Sequence, residues 1–242
     1  VQLQSRWNAH THAKRSAPST WYDPANYFVD PPHEEFIDHV IDTHGNETGY
    51  VSRNRYGALI LNTDRLMILD VDRSAKPWQR WTAKFMKLLG RQAPSQESQI
   101  LAAAQANVAD NYRIYRTFGG WRLMLVNRPV DGIDSFVETE FQRFAVDPFY
   151  AQLCRRQKTF RARLTPKPWR CDCSRPPNNF PFERADERLR FDAWQAEYSQ
   201  CSSGYRTCEL IAGFENAIDT NLQPLVALHD GLCKIESDAP LA

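Results

Sequence analysis

The chain has no run of the roughly 18 uninterrupted apolar residues that a membrane span requires. Its first residues also lack the apolar core of a secretory signal. Both absences lead us to expect an intracellular, cytoplasmic protein. A Walker loop, a dinucleotide fingerprint, a nucleophile elbow and a cysteine–histidine nucleophile arrangement are missing too, which counts against those enzyme classes. Cysteine is sparse, with six in 242 residues, and the spacing at 154, 171, 173, 201, 208 and 233 is not that of a secreted disulfide framework. Cys171-Asp172-Cys173 with Cys201, Cys208, His229 or Cys233 offers donors for zinc, but a single intervening residue is shorter than the usual gap of about two to four. The expectation is reduced thiols packed as small apolar groups, with zinc disfavoured.

A surplus of charge is missing overall, with 30 Lys and Arg against 29 Asp and Glu, yet the distribution is uneven. Pro148 to Cys171 carries seven Lys or Arg and no acid, whereas Glu183 to Ala242 carries eleven acids against five Lys or Arg. A local cationic patch survives a neutral total. Composition divides the chain into an extended N-terminal arm (1–32), an α+β core (33–170) and a helical or irregular C-terminal appendage (171–242) packed on that core. The histidines at 10, 12, 33, 39 and 44 invite a metal, but His10-x-His12 sits in an irregular segment without nearby carboxylates, and the cluster reads as solvated.

Along the core, Pro32 to Ile41 has apolar residues at i, i+1, i+4 and i+5 and predicts a short amphipathic helix. Gly57 to Leu61 and Leu66 to Val71 predict a hairpin around Asn62–Arg65, and the second run is apolar enough for a central strand covered on both faces. Trp78 to Leu89 and a segment opened by Pro94 and Ser95 predict helices on the sheet. Tyr112 to Tyr115 and Leu123 to Val126 predict a second hairpin around Gly119-Gly120, with Arg113, Arg116 and Arg122 as they would stand on a solvated edge strand. We expect both hairpins in one sheet. Helices follow from Asp134 and from Asp147-Pro148, where Asp147 has the character of an N-cap.

Asp70 and Asp72 stand at the exit of the apolar strand. Residues i and i+2 of a strand share a face and lie about 7 Å apart, so the two carboxylates are able to hold divalent cations between them. Such a pair suits phosphoryl or nucleotidyl transfer with Mg²⁺ or Mn²⁺; the plainer alternative is an ordinary strand end paired with Arg65 or Arg73. Arg161, Arg163, Lys167 and Arg170, interleaved with Phe160 and Trp169, suit a phosphate backbone and unstacked bases; the plainer alternative is a solvated basic loop.

The order apolar strand-Asp70-Val71-Asp72, Thr117-x-Gly119-Gly120-x-Arg122, Val146-Asp147 and Arg161-x-Arg163-Leu-Thr-Pro-Lys167 resembles the core of archaeo-eukaryotic primases and primase-polymerases. The resemblance implies an RRM-like mixed sheet, metal-binding Asp70 and Asp72, Asp147 as a third catalytic carboxylate, and nucleotide or single-stranded nucleic acid bound by Gly119, Gly120, Arg122, Arg161, Arg163, Lys167 and Arg170. Arg122 stands where that family has a nucleotide-binding histidine; arginine carries no proton, though it grips phosphate bidentately. The expected function is therefore metal-dependent nucleotidyl transfer or a relic of it. The alternative is a non-catalytic nucleic-acid-binding or assembly subunit with protein partners.

Overall fold

A computed structural model describes residues 34–73, 94–213 and 218–242, and the expected arm (1–32) and the helix over Trp78 to Leu89 lie outside them. The described residues form two four-stranded antiparallel sheets and five helices, so the α+β class holds while the single mixed sheet does not. The first sheet runs β1 (Glu35–Ile41), β2 (Glu47–Arg53), β3 (Leu59–Thr63) and β7 (Phe160–Arg163) in that order. The second runs β4 (Ile68–Asp72), β6 (Gly120–Leu125), β5 (Tyr112–Thr117) and β8 (Cys208–Ala212).

The segment expected to be a helix at Pro32–Ile41 is strand β1. Register shifts between Phe36 and Asp38 and between Val40 and Ile41 break the alternation of a regular strand, which is why its apolar spacing imitates a helix. Its β-branched Ile37, Val40 and Ile41 favour the pleated form, and Asp42 turns the chain by accepting from the backbone N–H groups of His44 and Asn46, both at 2.8 Å.

The expected hairpin around Asn62–Arg65 is also corrected. β3 pairs with β2 through a turn in which Asn54 Oδ1 accepts from the Tyr56 and Ala58 amides. Gly57 is required there: its φ is +78°, and a Cβ would stand 2.2 Å from the Trp194 ring. After Thr63 the chain crosses to the other sheet, where β4 pairs with β6. The motif-bearing β4 and the Gly-Gly hairpin thus share a sheet, and β3 does not belong to it.

β4 stands at the end of its sheet, but its outer edge is covered. The Ile68 carbonyl accepts from Tyr150 Oη at 2.8 Å and the Asp70 carbonyl from the Asp147 amide at 3.0 Å. These contacts satisfy an otherwise open strand edge, so β4 is an end strand and not the central one that its nearly continuous apolar run from Leu66 to Val71 suggests.

Helices α1 (Gln96–Gln105), α2 (Ser135–Arg143) and α3 (Pro148–Gln157) begin at Ser95, Asp134 and Asp147, whose side chains accept from the amides of Ser98, Val137 and Tyr150. Helices α4 (Ala185–Ser203) and α5 (Gln223–Cys233) follow. The expected boundary at 170 does not divide core from appendage. β8 completes the second sheet, and Leu222, Leu225, Val226 and Cys233 around α5 are buried in the same apolar core as β4, β5 and β6. Among the described residues, Cys171, Cys173, Phe191, Trp194 and Tyr198 form a separate cluster, between α4 and the segment before it.

Candidate functional site: a cleft with an acidic and a basic wall

The exit of β4, the Phe118-Gly119 tip and the segment after β7 enclose a cleft of about 240 Å³. Asp70, Asp72, Gly119, Arg122, Arg163, Lys167 and Arg170 line it, so most residues singled out in the sequence converge. A wider groove of about 830 Å³ lies at the turn between β1 and β2. It gathers none of those residues; His39 Nδ1 and Glu47 Oε1 stand 3.0 Å apart there.

Local structure explains the convergence. Opposite residues across β4 and β6 are Asp70 with Arg122 and Asp72 with Gly120. Gly120 is needed because a Cβ would lie 2.0 Å from the Val71 carbonyl oxygen and 2.9 Å from Asp72 Cα, so what approaches this glycine is the neighbouring strand. At Gly119 nothing stands within 4 Å of the Cβ position, and its carbonyl accepts from the Arg73 amide at 2.8 Å. Asp147 does not line the cleft but stands beside it: its amide bonds the edge carbonyl of Asp70, its charge acts on Asp72, and its Oδ1 caps α3 at 2.7 Å from the Tyr150 amide.

The acidic wall is crowded. Burial pushes the Asp72 carboxyl upward, and the negative charges of Asp147 and Asp70 push it further, against the pull of Lys167 and Arg163. The basic wall is the mirror case. Burial, then Arg163 and Arg170, pushes Lys167 down to about 8, and burial with Arg163 pushes Arg170 down to about 10. Among the described residues neither cation has an ion-pair partner; each lies against an aromatic ring, Lys167 Nζ 5.4 Å from the Trp169 centroid and Arg170 Cζ 4.1 Å from that of Phe118.

Two expected ligand-binding cations have other roles. Arg161 is buried at the far end of β7, where it bonds Glu34 Oε1 at 2.5 Å and Gln157 Oε1 at 2.6 Å. The uniform cationic stretch therefore splits, since Arg155 is also paired, with Glu138. Arg122 is only 1% exposed. Its Nε donates to Asp70 Oδ1 at 3.1 Å, and Nη1 faces the Arg163 carbonyl at 3.0 Å, His229 Nε2 at 3.1 Å and Cys208 Sγ at 3.5 Å. Burial opposes its charge, but Asp70, Cys208 and Cys233 outweigh burial and hold its pKa above the ordinary arginine value. It is a fixed structural cation and not a mobile phosphate grip.

The network behind Arg122 was not recognised in the sequence. A guanidinium only donates, so His229 Nε2 accepts and Nδ1–H donates to Asp230 Oδ1 at 2.8 Å. Asp230 also accepts from Tyr115 Oη at 2.8 Å and Arg113 Nη2 at 2.6 Å. A hydrogen bond from Cys233, helped by the Arg122 charge, lowers Cys208 well below the usual thiol range despite burial, while burial and the same hydrogen bond raise Cys233. Cys208, His229 and Asp230 have the connectivity of nucleophile, base and orienter. Cys208 and His229 are fully buried, with Arg122 Nη1 beside both, so they serve as the receptor of a guanidinium. The alternation of Arg113, Arg116 and Arg122 was the available signal, and it reads equally well as a solvated edge. In the structure Arg113 pairs with Asp230, Arg116 with Glu97 and Glu209, and Arg122 with Asp70.

Among the described residues no helix is long and apolar enough to cross a membrane. Compared with family models, with curated proteins and with solved structures, the chain finds no match in any of the three.

Proposed function

We propose that the cleft binds a nucleoside triphosphate together with Mg²⁺ or Mn²⁺ and serves nucleotidyl transfer of the primase-polymerase kind on a single-stranded nucleic acid template. One observation carries this reading: a single cleft is lined by Asp70 and Asp72 on one wall and by Arg163, Lys167 and Arg170 on the other, and the crowding pushes Asp72 upward and Lys167 and Arg170 downward. A divalent cation relieves the acidic wall and a polyphosphate relieves the basic wall, so a metal-bound triphosphate satisfies both at once. Asp70 and Asp72, with Asp147 beside them, are the residues that would hold the ion. When bound, it neutralises phosphate charge and activates the attacking hydroxyl.

The chain's own residues do the rest. Lys167 and Arg170, with Arg163, attract and orient phosphate oxygens in a partly desolvated cleft where each charge acts strongly. Arg122 positions Asp70 from behind and stays out of the cleft's chemistry. Phe118, 52% exposed and in the cleft lining, offers a face on which a base is able to stack.

A second reading is supported by the bonds already made to two of the acids. Asp70 Oδ1 is engaged by Arg122 and Asp147 Oδ1 by the Tyr150 amide, as in a protein that binds nucleotide or nucleic acid without transferring it. Calorimetric titration with a nucleoside triphosphate, with and without Mn²⁺, followed by template-directed extension, separates the two. Transfer requires Mn²⁺-dependent binding, phosphodiester formation, and loss of both in Asp72→Asn. Affinity should fall about tenfold or more in Lys167→Ala and in Arg170→Ala, from the loss of a charge-assisted hydrogen bond. Binding that ignores Mn²⁺ and yields no product leaves the non-catalytic reading. Binding that survives both cation substitutions unchanged removes the cleft from either.

A further inference from the structure

A second cluster of ligating side chains lies just beyond the basic wall. The chain leaves the 3₁₀ turn Pro168–Arg170 through Cys171-Asp172-Cys173, and the Pro168 carbonyl accepts from the amides of both cysteines at 3.0 Å. Asp172 between them has φ +56°, a conformation that side chains other than glycine rarely adopt and that folds the segment back on itself. The same segment is clamped to α4 on both sides: Tyr198 Oη donates to the Pro166 carbonyl at 2.6 Å and Trp194 Nε1 to the Ser174 carbonyl at 3.0 Å. Helix α4 places Glu197 and Cys201 one turn apart on a common face.

As a result Cys173 Sγ, a Glu197 carboxylate oxygen and Cys201 Sγ all lie within 4.8 Å of one another. Metal bonds of about 2.3 Å to sulfur and about 2.0 Å to oxygen in a tetrahedron set ligand separations of roughly 3.5–3.8 Å. Closing the set therefore takes side-chain adjustment on two elements already locked together. Cys171 lies outside that set but near enough to Cys201 for the two thiols to interact electrostatically, and its own thiol faces the Pro168 carbonyl at 3.2 Å and the Lys167 carbonyl at 3.8 Å. Cys173 is buried while Cys201 is partly exposed and Glu197 exposed, so the group opens to solvent on one side and an ion has a way in. Another cluster of this kind among the described residues, Cys208, His229 and Cys233, differs in having a cation already: the Arg122 guanidinium faces two of its three donors.

We propose that Cys173, Glu197 and Cys201, with Cys171 as fourth ligand, form a structural site for a thiolate-preferring divalent cation of the zinc class. Two or three thiolates with one carboxylate select such an ion over Mg²⁺, which prefers oxygen donors and octahedral geometry. The ion would staple the turn that carries Lys167 and Arg170 to α4, fixing the basic wall from outside. The sequence reading had set zinc aside on the short Cys-x-Cys gap; helix α4 supplies the donors that the gap does not.

The full chain, purified under reducing conditions, should contain about one zinc per molecule by elemental analysis. Replacement by Co²⁺ should give the thiolate-to-cobalt charge-transfer band and the visible bands of a tetrahedral site. Both should vanish in Cys173→Ser with Cys201→Ser. If that variant fails to fold, Glu197→Gln on the exposed face of α4 keeps the fold and should weaken zinc binding about tenfold or more. Wild type that binds neither zinc nor cobalt overturns the proposal, as does a Cys173–Cys201 disulfide in protein isolated with thiols trapped. Zinc retained at full affinity in Glu197→Gln and in Cys171→Ser overturns it too, because the ion then sits elsewhere. Nucleotide binding is not a readout here, so failure of the cleft proposal leaves this one standing.

Discussion

Replacing Asp70 by Asn isolates the interaction that joins the cleft to the core. The substitution keeps shape and a carbonyl acceptor 3.1 Å from Arg122 Nε but removes the charge opposite a fully buried guanidinium. Breaking a buried ion pair by removing one partner costs about 3–5 kcal/mol, because the remaining charge stays desolvated. Solvent reduces that here: the Asp70 side chain is 32% exposed, so part of its attraction is screened by water. The expected loss is therefore about 2–3 kcal/mol, and with a urea slope of about 2–3 kcal/mol/M the unfolding midpoint should fall by about 1 M. Arg122→Met removes the donor and frees Asp70 to face solvent, so the double variant should cost less than the sum of the singles by about 1 kcal/mol or more. If Asp70→Asn shifts stability by less than about 0.5 kcal/mol, or the two changes add without coupling, Asp70 is not the charge that holds Arg122 and the account of the acidic wall fails.

Three further outcomes are expected. Gly120→Ala should destabilise by about 1–3 kcal/mol, since its Cβ would meet backbone atoms of β4 that cannot give way, while Gly119→Ala should be tolerated; equal effects in urea unfolding contradict the close approach. Arg161→Ala should lower stability without a specific loss of triphosphate affinity, because its partners are Glu34 and Gln157; an affinity loss matching that of Lys167→Ala in the same titration would return it to the site. With Lys167 lowered to about 8, the native protein binds fewer protons than the unfolded chain from about pH 8 up to the usual lysine value, so stability rises with pH over that window. A bound polyphosphate restores the charge; affinity should therefore fall as pH rises above about 8, and titrations at about pH 9 in buffers of different ionisation heat should show proton uptake that Lys167→Met abolishes.

The sequence made the local features legible and hid the long-range ones. Caps at Ser95 and Asp147 were readable because a cap is a contact over three residues. The apolar run ending in Asp70 and Asp72 was readable as a strand covered on both faces, but not as the end of a sheet, because its cover comes from Tyr150 and Asp147 far along the chain. β1 was misread because register shifts gave its apolar residues a helical spacing. The pairing of β3 was misread because a polar four-residue stretch marks a crossing between sheets as well as it marks a hairpin. For the site, residue types on one strand end and one basic segment sufficed to gather Asp70, Asp72, Arg163, Lys167 and Arg170. Arg161 and Arg122 were misplaced because charge in a sequence does not say which acid is waiting: Glu34 is 127 residues from Arg161, and His229 is 107 from Arg122.

The departure at Arg122 and the reading of Asp70 as a metal ligand then bear on each other. A carboxylate has two oxygens and several lone pairs, so one ion pair does not exhaust it. In Asp70 the bond from Arg122 falls on Oδ1, and in Asp147 the cap to Tyr150 falls on Oδ1; among the described residues Oδ2 of each makes no hydrogen bond. Side chains that hold ions are commonly oriented by a second group on the opposite oxygen or nitrogen, and that group sets their basicity and angle. Arg122 has this position, held in turn by Cys208, His229 and the Arg163 carbonyl. On this reading an arginine where the resembled family has histidine does not remove a substrate contact so much as move the residue's task from the ligand to the carboxylate. Arg122→His should then lose stability without improving nucleotide binding. A variant that folds as well as wild type and binds triphosphate more tightly, measured by urea unfolding and calorimetry together, would show that the position faces the ligand after all.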